Sequence, residues 1–297
     1  MIAKADVVVE GGSLAVFRFG DPDPARAPAK VLAVHGITAN SRAWLAVGRR
    51  LEGRAELLVP DLRGRGRSRA LGAPYGMAAH ARDMLAVLDH FGLEKSVVAG
   101  HSLGAYIIAR LAVDHPERVS SLVMVDGGLT IPGIEGVDPQ RFIDGFLGPA
   151  LARLRLTFPD REAYLEWWRE HPAISGSDIA HEDLIAYADH DLVGEEPNLR
   201  SGVSEEAVRG DSAELLGMGE PAHRLTHPAR LLCAPRGLVN DPNPMQPISL
   251  VNSWAAEAPE QRQAASVPDV NHYAIVMGEA GAKVVAGAIA KAHGEGP

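Results

Sequence analysis

The chain has 297 residues, of which 46% are hydrophobic and 5% aromatic, and its formal net charge is −9. An acidic chain whose charges are spread along the sequence is not expected to bind nucleic acid or an anionic membrane surface. Cys233 is the single cysteine, which excludes an internal disulfide and a cysteine-based metal cluster. Residues 1–6 lack the apolar core of a secretory signal, and no apolar run approaches the ~18 residues of a membrane helix. We therefore expect a cytoplasmic protein.

The first part of the chain alternates between short apolar segments and helical patterns. Short apolar strands separated by helices predict an α/β fold, in which a mostly parallel sheet is covered by helices on both faces. The predicted elements in chain order are a hairpin of residues 6–10 and 13–19, a strand at 31–34, a helix at 42–51, a strand at 56–59, a helix at 75–91, a strand at 97–99, a helix at 103–113 and a strand at 121–125.

This alternation stops after residue 130 and resumes near residue 227. The stretch between shows helices and loops, and after it come a strand at 230–234, a last strand at 265–267 and a helix at 278–292. We therefore predict a core formed by residues 1–130 and 227–297, with a helical cap of residues 131–226 inserted before the penultimate strands. The cap is expected to cover the carboxyl edge of the sheet, where ligands bind in open α/β sheets.

Gly100-His101-Ser102-Leu103-Gly104 lies between a predicted strand and a predicted helix. This G-x-S-x-G pattern in that context is typical of a nucleophile elbow. The sharp turn projects the Ser102 hydroxyl clear of the backbone, and the two glycines allow neighbouring backbone to approach without a Cβ clash. The helix that follows directs free N–H groups and the positive end of its dipole toward an anion. The pattern alone is weak, so the interpretation depends on partner residues elsewhere.

A serine nucleophile needs a base, and His272 is the best placed of the twelve histidines. It follows the last predicted strand and precedes the final helix, so that its loop can lean over the sheet edge toward Ser102. The base in turn needs a carboxylate that holds its tautomer and stabilises the imidazolium. Asp126, at the end of the strand after the elbow helix, is our first choice. Asp241, in the loop after the strand at 230–234, is the alternative.

Two backbone N–H groups are candidates for the oxyanion hole that acyl transfer requires. Leu103 offers one, directly after the nucleophile. Ile37 offers the other, because Gly36 allows the chain to turn sharply in the loop after the strand at 31–34. His35 precedes this turn and is expected to hold the loop by hydrogen bonding rather than to act as a second base.

Four segments in this order make the chain resemble the α/β-hydrolase family, in its serine hydrolase branch with a helical cap. The resemblance covers nearly the full length and implies an α/β-hydrolase fold with a Ser–His–Asp triad. It also implies that the arginines of residues 63–67 belong to a structural turn, although an R-G-R-G-R run taken alone suggests RNA contact. The four segments are His35-Gly36 with Trp44 for the oxyanion loop, residues 61–68 for D-x-R-G-x-G-x-S, residues 100–104 for the elbow, and Asn271-His272 for the G-x-x-H ending without its glycine.

The position of the acid departs from the family's usual pattern. The family often places it as G-x-x-D in the loop after the penultimate strand, but Gly237 stands there, and Asp241 comes about four residues late. Some members carry the acid where Asp126 stands, and members with the usual acid often have an aspartate there too. The resemblance therefore keeps both acids open.

Serine rather than aspartate at the elbow favours acyl transfer to water over the family's epoxide-hydrolase and dehalogenase branches. We expect hydrolysis of a carboxylic ester or lactone through an acyl-enzyme on Ser102. The alternatives are cleavage of a C–C bond beside a ketone, and a non-catalytic ligand-binding member of the fold. The expected partners are a small molecule with an acyl or ketone carbonyl, and water. The sequence leaves the oligomeric state open, with a homodimer among the options.

Aromatic residues of the predicted cap are candidates for lining an apolar pocket: Phe142, Phe146, Trp167 and Trp168. Packing inside the cap explains any one of them at least equally well. The His/Asp-rich stretch at 181–191 alternates with apolar residues as a solvated helix does, so no metal site is expected there. No cofactor is expected either, because hydrolysis by a Ser–His–Asp constellation needs none.

Overall fold

The structure is a computed structural model that describes residues 3–20, 29–51, 53–133, 138, 145, 147–214 and 217–294. Ten strands are present among these residues: β1 (Lys4–Val9), β2 (Gly12–Phe19), β3 (Ala29–Val34), β4 (Ala55–Pro60), β5 (Ser96–His101), β6 (Val119–Val125), β7 (Leu192–Val193), β8 (Arg200–Ser201), β9 (Ala229–Cys233) and β10 (Arg262–Ser266).

Eight of these strands form one sheet in the order β1-β2-β4-β3-β5-β6-β9-β10. β2 pairs antiparallel with both β1 and β4, and the other neighbours pair in parallel. β5 therefore lies at the centre of the sheet, between β3 and β6. This architecture confirms the predicted α/β fold with a mostly parallel sheet.

Helices accompany the sheet on both faces, as the alternating pattern predicts. Successive residues of β3 point to opposite sides, since Val31 and Ala33 pack in one apolar cluster while Leu32 and Val34 pack in the other. The α-helices among the described residues are α1 (Leu45–Arg50), α2 (Met77–His90), α3 (Leu103–Asp114), α4 (Gly148–Leu154), α5 (Arg161–Glu170), α6 (His181–Asp191), α7 (Glu205–Ser212), α8 (Glu220–His223), α9 (Ile248–Ala256), α10 (Ala274–Met277) and α11 (Glu279–Ala292).

The C-terminal elements differ from their predicted bounds. The last strand, β10, begins at Arg262 rather than at residue 265, because an edge strand tolerates the polar residues of the sequence RQAAS. The predicted helix at 278–292 is preceded by the short helix α10, and Gly278 separates the two with extended backbone (φ −80°, ψ 153°).

The segment between β6 and β9 holds α4 to α8 and the two-stranded ribbon of β7 and β8. In the parts that are described, it adds no strand to the large sheet. Its description as a separate cap domain of residues 131–226 stays a prediction.

Ion pairs hold this segment against the sheet-bearing part of the chain. The buried carboxylates of Asp183 and Asp211 face Arg49 at 2.5 Å and Arg65 at 2.7 Å, respectively. His190 contacts the buried Asp61 at 2.7 Å. The expectation of a solvated helix at 181–191 was therefore wrong, because Asp183 and His190 on α6 are buried against partners outside the segment.

Arg63 and Arg65 are buried in the turn after β4. Arg63 makes an ion pair with Asp83 on α2, and Arg65 reaches Asp211 on α7. Neither guanidinium is exposed, so these two arginines pack inside the molecule, as the structural interpretation predicted, whereas Arg67 at the end of the run is exposed.

No described helix combines the length and apolar character needed to cross a membrane.

Candidate active site

Ser102 occupies the turn between β5 and α3, with a backbone conformation of φ 55° and ψ −122°. A non-glycine residue at positive φ is strained and is held there by its surroundings. A Cβ atom on Gly100 would collide with the Gly104 carbonyl oxygen, and one on Gly104 would collide with the Val34 carbonyl oxygen. These close approaches are the physical reason for glycine at both positions of the elbow.

His272 and Asp126 are brought together at the carboxyl edge of the sheet. His272 Nδ1 lies 2.6 Å from Asp126 Oδ2, and both side chains are buried. Asp126 directly follows β6 with a φ of 45°, and its Oδ1 accepts a hydrogen bond from the Ala234 backbone N–H at 3.0 Å. The carboxylate is therefore fixed by the residue that follows the neighbouring strand β9 while it orients the imidazole.

Asp241, the alternative acid, is not the partner of His272. Its Oδ1 accepts a hydrogen bond from the Asn243 backbone N–H at 3.0 Å, and its backbone carbonyl accepts one from the Gly237 N–H at 2.9 Å. Asp241 closes a turn and lies at the wall of the cavity described below.

His101 is a site residue that the sequence reasoning missed. Its Nε2–H donates to the backbone carbonyl of His272 at 2.8 Å, and the two imidazole rings lie 4.6 Å apart. Burial, with the nearby His272 ring, lowers the pKa of His101 well below its ordinary value. A neutral His101 thus fixes the backbone that carries His272. The only signal in the sequence that pointed to His101 was its position next to Ser102 in the elbow.

The loop after β3 passes directly beside Ser102. A Cβ atom placed on Gly36 would lie 3.2 Å from the Ser102 Cβ. His35 Nδ1–H donates to the Gly36 carbonyl at 2.8 Å, and its Nε2 accepts from the Leu62 N–H at 3.0 Å. His35 therefore holds this loop by hydrogen bonds. Ile37 and Leu103, the two candidate oxyanion donors, both line the cavity at Ser102.

A cavity of about 480 Å³ opens onto Ser102 and His272. Trp167 and Trp168 of α5 line it, as do apolar residues of α10 such as Val276 and Met277. Trp168 is fully buried and also belongs to the apolar cluster on that side of the sheet. It therefore both packs in that cluster and lines the cavity. Phe142 and Phe146, the other two predicted pocket residues, lie outside the described residues.

Arg153 on α4 is a buried cation at the cavity wall that the sequence reasoning also missed. Its Nη1 donates to Asp191 at 2.7 Å, to Tyr164 at 2.9 Å and to Ser201 at 3.1 Å. Its guanidinium carbon lies 5.0 Å from the centre of the Trp168 ring. The available signal was a single arginine among apolar residues in the sequence GPALARL.

Among the described residues, no group of three or more His, Cys, Asp or Glu side chains is arranged to hold a metal ion.

The fold and the family comparison agree. The family model described as the alpha/beta hydrolase fold matches residues 30–176, which span β3, the loop beside Ser102 and the elbow. Over 99% of its length the chain superposes on the whole of E-2-(acetamidomethylene)succinate hydrolase, with a TM-score of 0.79 and 20% identity. A thioesterase domain from the curacin biosynthetic pathway superposes over 97% of this chain and 99% of its own, with a TM-score of 0.71 and 18% identity. The chain belongs to the α/β-hydrolase family and has its fold.

A curated relative is similar over a shorter stretch. Lipase LipV of Mycobacterium tuberculosis is 36% identical over 143 residues, which are 47% of this chain and 52% of LipV. The chain spans about half the length, or less, of the curated relatives it matches.

Proposed function

We propose that this protein is a serine hydrolase that cleaves a carboxylic ester or lactone through an acyl-enzyme on Ser102. The observation that carries the proposal is the 2.6 Å contact between His272 Nδ1 and Asp126 Oδ2, at a cavity that also exposes Ser102. A carboxylate on Nδ1 leaves Nε2 as the basic nitrogen of the imidazole. Nε2 is then the atom that takes the serine proton.

The proposed reaction has two acyl transfers. His272 removes the Ser102 proton as Oγ attacks the substrate carbonyl carbon, and the same imidazole then protonates the leaving oxygen. The acyl-enzyme is hydrolysed when His272 takes a proton from water, which attacks the acyl carbon and releases Ser102. Asp126 holds the imidazole and stabilises its positive charge in both steps.

The oxyanion formed in each step needs donors that are already in place. We assign this role to the backbone N–H groups of Leu103 and Ile37. The first belongs to the start of α3, where helix N–H groups have no partner within the helix. The second belongs to the loop that Gly36 brings against Ser102 and that His35 fixes.

The name of the relative LipV, a lipase, favours an ester over a C–C bond as the substrate. A panel of short and long esters, lactones and 1,5-diketones tests this directly. We expect turnover of an ester or lactone, and a Ser102→Ala variant slower by a factor on the order of 10³ or more, because triad members act as a unit. Faster turnover of the diketones would replace the proposal with C–C bond cleavage. A Ser102→Ala variant that keeps more than about a hundredth of the rate would remove Ser102 as the nucleophile.

A further inference from the structure

One wall of the cavity carries polar side chains that the proposed acyl transfer does not use. We refer to Arg153, His171, Tyr187 and Tyr273 as the Arg153 wall; all four line the cavity that also reaches Ser102 and His272. The first three belong to the segment between β6 and β9. Tyr273 follows His272 directly in sequence, so the wall extends up to the proposed base.

Arg153 provides a positive charge at this wall. Burial alone would lower the pKa of Arg153, but attraction to Tyr164 and Asp191 raises it above its ordinary value. Arg153 donates four hydrogen bonds. Three come from Nη1, and the fourth runs from Nη2 to the Thr38 carbonyl at 3.1 Å. A guanidinium has five N–H groups. Within the described part of the chain, these acceptors leave the Nε–H and one Nη2 hydrogen for a ligand.

The other members of the wall are neutral. Burial, and then the charge of Arg153, lowers the pKa of His171 to about 4. Burial raises the pKa of Tyr187 well above its ordinary value and also raises that of Tyr273. Both tyrosines therefore keep their hydroxyl protons near neutral pH and can donate hydrogen bonds. One cation and two hydroxyl donors around a cavity are suited to an anion.

The negative charges near the wall do not cancel this suitability. Asp191 lies behind Arg153 and accepts hydrogen bonds from Arg153, the Tyr164 hydroxyl, the Ser201 hydroxyl and the Gly202 N–H. It does not line the cavity. Asp241 does line it, but it is partly exposed, so that solvent and salt weaken its repulsion of an anion.

The wall lies close to the proposed base. The Tyr273 ring centre is 5.9 Å from that of His272 and 5.5 Å from that of His171. The His171 ring centre is in turn 5.7 Å from that of Trp168, over which Arg153 is stacked. The Tyr273 ring centre also lies 6.3 Å from that of Trp168, so two ring contacts connect His272 to Trp168 through Tyr273, a separation suited to a short spacer.

We propose that the Arg153 wall binds a carboxylate on the acyl part of the substrate, so that the preferred substrates are half-esters of short dicarboxylic acids. This inference rests on the proposed function of Ser102 for its catalytic meaning, but the binding it predicts is measured without turnover. Arg153 supplies the charge, and the hydroxyls of Tyr187 and Tyr273 supply further donors. The ester carbonyl then lies toward Ser102.

The test is calorimetric binding to the Ser102→Ala variant, which cannot form the acyl-enzyme. The probes are the monomethyl esters of succinate, glutarate and adipate. Each is compared with the methyl ester that has an isopropyl group in place of its carboxylate. We expect at least one half-ester to bind about tenfold or more tightly than its neutral isostere, the factor that one charge-assisted hydrogen bond corresponds to. Equal or weaker binding of all three half-esters would overturn the proposal.

Two variants in the same Ser102→Ala background separate binding from packing. Arg153→Gln with Asp191→Asn removes the charge pair together, which avoids leaving one buried charge alone. This variant should lose the preference for the half-ester and keep its affinity for the neutral ester. The matched control is Arg63→Gln with Asp83→Asn, another buried pair that does not line the cavity. The control should keep the preference, and a control that loses it would overturn the role of Arg153.

Asp191→Asn alone gives a result of opposite sign. This substitution removes the negative charge behind Arg153. The half-ester should therefore bind more tightly to this variant than to the Ser102→Ala parent. A purely structural Arg153–Asp191 pair would give weaker or unchanged binding. Thermal melts identify a variant that does not fold. In that case the proposal is still decided by whether the Ser102→Ala parent binds a half-ester more tightly than its neutral isostere.

Turnover by the protein with Ser102 present distinguishes the two proposals. Hydrolysis of neutral esters without a carboxylate preference would overturn this inference and leave the proposed function intact. Tighter binding of a half-ester, with no hydrolysis of any ester, would overturn the proposed function and leave this inference intact.

Discussion

At the scale of single residues, the site depends on one contact between distant parts of the chain. Asp126 and His272 are 146 positions apart, and their side chains meet at 2.6 Å. Asp126 is held on its other oxygen by the Ala234 N–H. An acid fixed in this way fixes the imidazole tautomer, which is the function that the proposed mechanism assigns to it.

Substituting the two acids separately tests this assignment. Asp126→Asn should lower kcat/KM for the best ester by a factor on the order of 10³ to 10⁴, because the amide no longer holds the productive tautomer. Asp241→Asn should change it by less than about threefold, since Asp241 closes a turn at the cavity wall and does not contact His272. Steady-state kinetics of both variants, with melting curves as the folding control, provides the measurement. A larger loss in Asp241→Asn would move the acid to the later loop.

At the scale of secondary-structure elements, the elbow is the place where packing and chemistry meet. α3 can begin directly after β5 only because Gly104 passes against the Val34 and His35 carbonyl oxygens. The resulting positive φ at Ser102 is a strain that this packing maintains. The proposed nucleophile and the close contact between α3 and β3 are therefore two aspects of one feature.

A single methyl group at Gly104 should disrupt that feature. Gly104→Ala places a Cβ atom against backbone that cannot move, so we expect a loss of stability of about 1–3 kcal/mol, together with a loss of activity. Gly287→Ala is the matched control, because Gly287 lies within α11 and a Cβ atom there meets nothing within 4 Å. The control should be neutral or stabilised, by up to about 1 kcal/mol. Equal melting temperatures for the two variants would contradict the close-packing explanation.

The elements also show how far the sequence could predict this protein. The hairpin, the alternating strands and helices and the elbow follow from residues that are neighbours in sequence, and the structure has them. The choice between Asp126 and Asp241 could not be made that way. It depends on β6 lying next to β9, and the sequence does not contain the order of strands in the sheet.

Arg153 and His101 were missed for the same reason. Arg153 bonds to Asp191, 38 positions away, and to Thr38, 115 positions away, while His101 bonds to His272, 171 positions away. A lone arginine in an apolar helix or a histidine beside a serine has no meaning until these contacts exist. The solvated interpretation of α6 failed similarly, because the partner of His190 is Asp61, 129 positions away.

At the scale of the whole molecule, buried neutral histidines link stability to pH. Burial lowers the pKa of His35 to about 4, although the nearby Asp61 acts in the opposite direction. His35 therefore binds a proton more tightly in the unfolded chain than in the folded protein, so a lower pH favours unfolding. The stabilising contribution is complete above the unfolded pKa, near about 6.5, and is lost as the pH falls toward 4.

We therefore expect the free energy of unfolding to fall between pH 6.5 and pH 4. The full His35 contribution is about 3.5 kcal/mol, from a shift of roughly 2.5 pKa units at about 1.4 kcal/mol each. Urea unfolding at several pH values measures it. In His35→Asn a neutral amide replaces the imidazole, so the variant should be less stable at pH 7 and should depend less on pH. The same pH dependence in both proteins would contradict the assignment to His35.

The central claim is that Ser102 is a nucleophile activated by His272. It is tested most directly by the rate at which a fluorophosphonate labels the folded protein, with the modified peptide identified by mass spectrometry. We predict stoichiometric labelling of Ser102 and a rate lower by a factor of about 10² or more in His272→Ala. A folded protein that is not labelled, or a labelling rate independent of His272, would contradict the claim and favour a ligand-binding protein with a hydrolase fold.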